Sequence, residues 1–309
     1  MAFDVTVIII NYNTTDYTVN CIESILKHTS KSLKCQYLIV DNASKSENYY
    51  NLKKYVDSIS QINNIKLIRS PINTGFGGGN MIGSREAQGK YLAFINNDVL
   101  FTNDCLLILK NFMDSNKNVG VCGPQAFKEN MDLLPTIDHF ASLGRELLGR
   151  KVLEKLNSKK YPKRKKLYKQ PQNGQFVAGS FMFFSSIDFN QVGGFDTNIF
   201  LYHEETDICK RLAKINKQSY LVPDGEFIHF HGASTPKSID LKIELKISLL
   251  YVIRKHYGMI QFYILLTYLQ IKYFFSSLIK PKNWSVFLVL IKQAPLSMSL
   301  KHKQQIHRL

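Results

Sequence analysis

Residues 96–98, Asn96-Asn97-Asp98, end an apolar run, Tyr91 to Ile95, with two amides and one carboxylate. That pattern places Asp98 at or just past the carboxyl end of a buried strand. In open α/β sheets, ligands bind in the crevice beyond those ends. A hard carboxylate beside small amides suits Mg²⁺ or Mn²⁺ held largely by a ligand's phosphates. The competing assignment is a turn or helix N-cap aspartate. A second cluster, Glu204-Glu205-Thr206-Asp207, sets three acids in one helical turn. Neighbouring carboxylates raise one another's pKa, which suits a general base. Asp207 and Arg211 have the spacing of an i,i+4 ion pair, so one acid faces the crevice while that pair is structural. His229 and His231 alternate on one strand, and a neutral imidazole there can ligate a divalent metal. With no Cys beside them they make a poor zinc site, and a structural histidine is the alternative.

These groups need elements to position them. Val5–Ile10, Gln36–Val40, Ile65–Arg69 and Tyr91–Ile95 are short apolar, β-rich runs. Helical spacing follows three of them, over Asp16–Lys27 (capped by Thr15 or Asp16), Asn48–Ile59 and about Asn80–Gln88, and a further helix lies near Cys105–Asp114. Such alternation implies a mostly parallel sheet with right-handed crossovers and helices on both faces. Polar clusters follow each strand: Asn11-Tyr12-Asn13, Asp41-Asn42, Asn73, and Asn96 to Asp98. All four then fall on one sheet edge. The stretch Asn73-Thr74-Gly75-Phe76-Gly77-Gly78-Gly79-Asn80 is expected as a glycine-rich loop over 73–79. Glycines there allow close backbone approach to a ligand or simply a tight turn. Their crowding does not match a dinucleotide fingerprint, and the Gly-Lys-Ser/Thr of a P-loop is absent.

Further on, 145–170 is expected as a mobile loop or surface helix, and Gln175–Phe184 as one strand near the site. A turn at Gly193-Gly194, a helix over Glu204–Ile215, and short strands at Tyr220–Val222 and Glu226–His231 complete the reading. From about Ser238 the chain is helical, aromatic and basic.

The 309 residues suffice for one large domain, or a domain with an appendage. The net charge of +16 is concentrated. Residues 145–169 hold 11 Lys/Arg against 2 acids, and 237–309 hold 12 against 2, leaving the remainder slightly acidic. Such blocks point to an anionic surface, membrane or nucleic acid. A nucleic-acid binder is disfavoured, because the crevice edge is acidic and amidic and no recognition motif appears. Cys21, Cys35, Cys105, Cys122 and Cys209 show no pairing pattern, as expected of reduced cytosolic thiols. Met1-Ala2-Phe3-Asp4 lacks the basic start of a signal peptide. In the tail, the longest uncharged run, His256 to Ile271, is 16 residues, short of the ~20 that span a bilayer. Its composition fits amphipathic helices at an anionic interface or a helical cap on the domain.

In order, the chain carries Ile10-Asn11-Tyr12-Asn13, Val40-Asp41-Asn42-Ala43-Ser44, the 73–80 glycine stretch, Ile95-Asn96-Asn97-Asp98, Gly193-Gly194-Phe195-Asp196, His203 to Arg211, and His229 to Ser234. This set resembles the family 2 inverting glycosyltransferases of GT-A fold, in particular the bacterial rhamnosyltransferase-like branch, over about residues 4–236. The resemblance implies an α/β, GT-A type domain, 1–236, with a Rossmann-like nucleotide-binding half, and a helical, basic extension, 237–309. It implies that Tyr12, Asn13 and Asp41 or Asn42 hold the nucleobase and ribose, and that Asn73, Gly75, Asn80, Asn96 and Asn97 line the rest of a nucleotide-sugar. Asp98 would bind a divalent metal, Mg²⁺ or Mn²⁺, with His229 or His231 beside it. Glu205 would be the base, with Glu204, Gly193, Gly194 and Asp196 on the acceptor side. Two positions depart from the family pattern, Asn96 for the first Asp of Asp-x-Asp and Glu205 where Asp is usual, which makes a non-catalytic sugar-nucleotide-binding protein a rival reading, with a nucleotidyltransferase on a similar sheet as another. The implied reaction is a single inverting displacement from a dTDP- or UDP-linked sugar, rhamnose among the candidates, to a glycan or lipid-linked hydroxyl in surface polysaccharide synthesis. The implied location is the inner face of the cytoplasmic membrane, in peripheral contact through the basic tail, with no nucleic-acid partner.

Overall fold

The computed structural model describes residues 2–61, 64–230 and 238–306. His231 and the Gly232-Ala233-Ser234 that follow it lie outside the described residues.

In order, the first elements are β1 (Phe3–Asn11), α1 (Thr15–His28), β2 (Cys35–Asn42), α2 (Ser46–Ile59), β3 (Ile65–Ser70), α3 (Gly75–Ser84) and β4 (Gly89–Asn96). Then come β5 (Val99–Phe101), α4 (Cys105–Ser115), β6 (Val119–Phe127), β7 (Leu133–Leu134), β8 (Ile137–Asp138), α5 (Leu143–Leu148) and α6 (Arg150–Leu156). The rest are β9 (Gln172–Gly174), β10 (Phe176–Val177), β11 (Phe181–Ser185), α7 (Ser186–Gln191), α8 (Glu204–Lys214), β12 (Gln218–His229), α9 (Ile239–Ile279) and α10 (Trp284–Ile291).

The main sheet runs β3-β2-β1-β4-β11-β6-β12-β5. Strands β1 to β4 are mutually parallel, β11 is antiparallel to both neighbours, and β12 runs parallel to β6. The period-2 geometry of a strand sends alternate residues to opposite faces. Val5, Val7 and Ile9 of β1 enter the core under α1, α2 and α4, while Ile8 enters the core under α3, α7 and α8. Both faces are covered, which is why these strands are unbroken apolar runs. Register aligns Asn11 with Asp41, and Ile10 with Asn96, at the carboxyl ends. The expected mostly parallel sheet, flanked by helices and followed by a helical region, is what the structure shows.

Several local expectations fail, each for a physical reason. The 73–79 stretch is not a loop: α3 begins at Gly75 and contains the glycine run. Glycine disfavours helix by about 1 kcal/mol against alanine, but here it brings helix and sheet together. A Cβ on Gly83 would lie 2.6 Å from Ile8 Cγ2, and one on Gly79 would lie 2.9 Å from Ile10 Cδ1. For 145–170, expected as a mobile loop or surface helix, the helical alternative holds in the first part, as α5 and α6. Arg150 and Arg164 pair with Asp138, and Arg145 with Glu146, while most lysines of 159–169 stay exposed. The expected strand Gln175–Phe184 is two strands, β10 and β11. Between them Ala178 N bonds Thr136 O, Gly179 N turns to Glu205, and Ser180 O accepts from Asn96 N. The two late strands are one, β12, with a bulge between Val222 and Glu226. Helix α1 starts at Thr15, after Thr14, with no side-chain cap.

The tail packs on a core of its own that also takes in Ala141 and Ile199. Helix α9 breaks at Gly258, which has φ +84°. By length and composition it is the one helix among the described residues long and apolar enough to cross a membrane, and 33% of its most apolar window is buried in the protein.

Candidate nucleotide-sugar and catalytic site

A cavity of about 360 Å³ opens at the carboxyl edge of β1, β2 and β4. Of the nucleotide-sugar candidates, Tyr12, Asn42, Asn73, Gly75, Asn80, Asn96 and Asn97 line it. Asn13 and Asp41 do not. Asp41 is fully buried and accepts from Asn11 Nδ2 (3.0 Å) and Ser44 N (3.2 Å). Asn13, at φ +57°, accepts from Lys45 N at 2.8 Å. Both fix the loops around the cavity.

The amides of this edge are tied to one another. Asn42 Nδ2 donates to Asn73 Oδ1 and Gly75 O, both at 3.0 Å, and its Oδ1 accepts from Thr74 N and Oγ1. Both donors and the carbonyl of its amide are therefore spent, so Asn42 positions Asn73 and Gly75. Asn97 Nδ2 donates to Thr14 Oγ1 (2.7 Å) and Thr18 Oγ1 (2.9 Å), and Thr18 donates on to Asn11. A fully satisfied buried network of this kind is rigid.

Asp98 sits in the turn after β4 and is 2% exposed. Pairing of β5 with β12 sets His229 opposite Val99, and Phe230 N bonds Asp98 O. This brings His229 Nε2 to 3.2 Å from Asp98 Oδ1, a contact between residues 131 positions apart in sequence. One carboxylate oxygen and one imidazole nitrogen converge here. No group of three or more His, Cys, Asp or Glu that could hold a metal occurs among the described residues. The pair therefore does not fit a closed structural zinc centre. It fits a hard divalent ion whose remaining ligands are phosphate oxygens and water.

The second cluster is built differently. Tyr202 and His203 both take left-handed torsions, φ +71° and +70°, uncommon for such residues and usually found where function holds them. They turn the chain into α8. Glu204 is 3% exposed, and its Oε1 has no hydrogen-bond partner among the described residues. Burial, and then the charge of Glu205, push its carboxyl far above the usual glutamate range. Glu205 is raised too, chiefly by burial, against the pull of backbone N–H groups, its own and that of Gly179. Glu205 Oε1 accepts from Gly179 N at 3.2 Å. A Cβ on Gly179 would stand 2.7 Å from that oxygen, so glycine makes room for the carboxylate. Neither glutamate lines the cavity, whereas Phe200 and Leu201 just before them do.

Asp207 pairs with Arg211 as expected, and also with Lys255 and His256 of α9, both at 2.7 Å. Burial opposes its ionisation, but these partners hold its carboxyl well below the usual range. Asp196 is likewise engaged by Tyr251 Oη and Lys255 Nζ, both at 2.7 Å. Gly193 and Gly194 form a left-handed turn, and Gly194 packs against Met81 of α3. These acceptor-side candidates are outside the cavity lining. Phe76 of the glycine stretch also lines the cavity, together with members the sequence did not announce: Thr14, Phe200, Leu201, Leu241, Leu300 and Gln304. Only Thr14, beside Asn13, carried a local signal.

Among curated relatives, the chain is 28% identical over 175 residues to the rhamnosyltransferase WbbL of Escherichia coli K12, covering 55% of this chain and 64% of that one. It is 38% identical over 60 residues to an N-acetylglucosaminyl-diphospho-decaprenol L-rhamnosyltransferase of Mycobacterium tuberculosis, covering 19% and 20%. The matched stretch is less than two thirds of either relative. Among solved structures, it superimposes on GalNAc-T7 with UDP, GalNAc and Mn²⁺ at a TM-score of 0.61 and 13% identity, over 82% of this chain and 48% of that one. For the mannosyltransferase PcManGT of Pyrobaculum calidifontis, in complex with GDP-Man and Mn²⁺, the values are 0.57 and 14%, over 96% and 87%. At such identities the likeness is one of fold, and the fold is GT-A. The model of glycosyl transferase family 2 matches residues 6–192, ending before α8 and β12. The chain belongs to glycosyl transferase family 2.

Proposed function

We propose that this glycosyltransferase moves a sugar from a dTDP- or UDP-linked donor, with rhamnose the favoured sugar, to a hydroxyl of a glycan or lipid-linked acceptor in bacterial surface polysaccharide synthesis. The observation that carries the reading is the amide-lined cavity at the sheet edge, with Asp98 and His229 converging beside Asn97. The curated relatives named for rhamnosyl transfer, one to a diphospho-decaprenol-linked sugar, support the donor and acceptor classes.

Tyr12, Asn73, Asn80 and Asn96 would bind the nucleotide-sugar, held in place by Asn13, Asp41 and Asn42. Asp98 and His229 would hold Mg²⁺ or Mn²⁺, which supplies neutralisation of the charge on the diphosphate. Glu205 takes the proton from the acceptor hydroxyl as that oxygen attacks the anomeric carbon. Its raised pKa favours holding that proton, and the bond to Gly179 N fixes the carboxylate. The diphosphate leaves from the opposite face, so configuration inverts. Glu204, Gly193, Gly194 and Asp196 belong to the acceptor side, Asp196 by anchoring α9. Residues 1–236 would form the catalytic domain and 237–309 an extension seated at the inner face of the cytoplasmic membrane. In support, the distal part of α9 and α10 expose Ile260, Ile264, Phe275, Leu278, Ile279 and Leu288 beside Lys272, Lys280, Lys282 and Lys292, a mixture that suits an anionic lipid interface.

The deciding test is release of nucleoside diphosphate from a panel of nucleotide-sugars, with and without EDTA. Turnover of a dTDP- or UDP-sugar that EDTA abolishes and Mg²⁺ or Mn²⁺ restores is expected. Nucleotide binding without turnover toward any hydroxyl acceptor would instead favour a non-catalytic sugar-nucleotide binder. Co-sedimentation with anionic, but not neutral, vesicles at low salt tests the interface.

A further inference from the structure

The C-terminal segment returns to the cavity. After α10 the chain makes two short 3₁₀ turns, Leu296–Met298 and Leu300–Lys303, and Leu300 and Gln304 enter the cavity lining. Ile306 then forms an antiparallel bridge with Ile72, next to Asn73. The segment is bolted down from α9. Glu244, 1% exposed, accepts from Ser299 Oγ on one carboxylate oxygen and from Leu300 N on the other, both at 2.8 Å. Lys301 Nζ adds a bond to Thr197 O at 2.7 Å. A buried carboxylate is costly unless its oxygens are bonded, and charge-assisted bonds are the strong ones. Here both oxygens of one such group are committed to two consecutive residues of the segment. A terminal stretch held only by non-specific packing would not require this.

We propose that residues 296–306 are a strap that completes the donor site: Leu300 and Gln304 are binding determinants for the nucleotide-sugar, and Glu244 is the positioning residue that holds them at the cavity. The inference rests on reading the cavity as the nucleotide-sugar site, and it adds a wall drawn from beyond the family match. Leu300 offers an apolar contact, and Gln304 an amide able to read hydroxyl or carbonyl groups of a nucleoside or sugar. Donor affinity then depends on a carboxylate of α9 that never touches the donor.

The test uses the full chain and calorimetry with UDP, dTDP and their sugar conjugates. Glu244→Gln removes the charge that strengthens both bonds and leaves a single acceptor, so that one arm can meet Ser299 Oγ only as a neutral N–H donor. It is expected to weaken nucleotide binding about tenfold, to raise donor KM while kcat at saturating donor holds, and to speed hydrogen exchange at the Leu300 amide. The Leu300→Ala, Gln304→Ala double variant should weaken binding by a similar factor without touching the Glu244 clasp. Lys54→Ala, exposed on α2 and away from the strap, should leave it unchanged. If Glu244→Gln does not fold, the double variant decides. Wild-type binding with no loss in the folded variants overturns the strap alone. A wild-type protein that binds no nucleotide overturns the cavity reading and the strap with it.

Discussion

The carboxyl edge of β1 to β4 and the start of α8 are two ways of preparing a site. Along the edge, the working groups are neutral amides whose hydrogen bonds are largely satisfied within the protein: Asn42 with Asn73 and Gly75, Asn97 with Thr14 and Thr18. At α8 they are adjacent carboxylates, Glu204 buried with one oxygen lacking a partner among the described residues and Glu205 half-buried, on a helix entered through two left-handed residues. The edge spends its polarity on holding shape. The α8 start stores unfavourable electrostatics, which is the state a proton acceptor needs. Changes at the edge should therefore alter binding, and changes at α8 should alter turnover and its pH dependence.

The largest expected effect breaks the α8 half. Glu205→Gln should lower kcat on the order of 10²- to 10⁴-fold with nucleotide affinity unchanged. Steady-state transfer paired with calorimetry checks this, and full activity would remove Glu205 as base. Because its pKa is raised, the wild-type rate should fall as pH drops through a value above the ordinary glutamate range, where the base becomes protonated. Next comes Gly179→Ala, which touches no substrate but puts a methyl group against Glu205 Oε1. Displacing the carboxylate should cost up to about a hundredfold in kcat, with little change in donor KM. On the edge, Asn42→Ala should release Asn73 and Gly75 and weaken nucleotide binding about tenfold, while kcat at saturation holds. A kcat effect as large as that of Gly179→Ala would erase the distinction between the regions.

The smallest effect concerns stability. Glu204 is raised, so its charged form destabilises the fold. That cost is absent below the unfolded pKa, grows as pH rises through the interval up to the folded pKa, and is constant above it. Glu204→Met should thus raise Tm at neutral pH by about 2–4 °C, a gain that vanishes in acid. A melting series from pH 4 to pH 8 reads it directly.

The two regions also differ in how far the sequence discloses them. Strands β1 to β4 are legible because burial on both faces demands apolar runs, and each ends at an amide or acid that the sheet places on one edge. The glycine run misleads, since its helix-breaking tendency is overridden by contact with Ile8 and Ile10. Pro223-Asp224-Gly225 reads as a turn between strands, yet Asn103 bonds Asp224 O and Glu226 N and carries β12 through as a bulge. The 3.2 Å approach of His229 to Asp98 follows from the pairing of β5 with β12, which no local pattern encodes. Leu300 and Gln304 lie in a basic tail without any motif, and only tertiary packing brings them to the cavity.

The break at Gly258 has a mechanical side. Ser248, Tyr251, Lys255 and His256 fasten the first part of α9 to Leu201, Asp196 and Asp207, the last of them two residues before the break. Beyond it, no hydrogen bond or ion pair among the described residues ties the distal helices to α8. His256 grips Asp207, which follows Glu205 by two residues on the same helical turn. Gly258 thus marks where α9 changes from a strut locked onto α8 to an arm outside that lock.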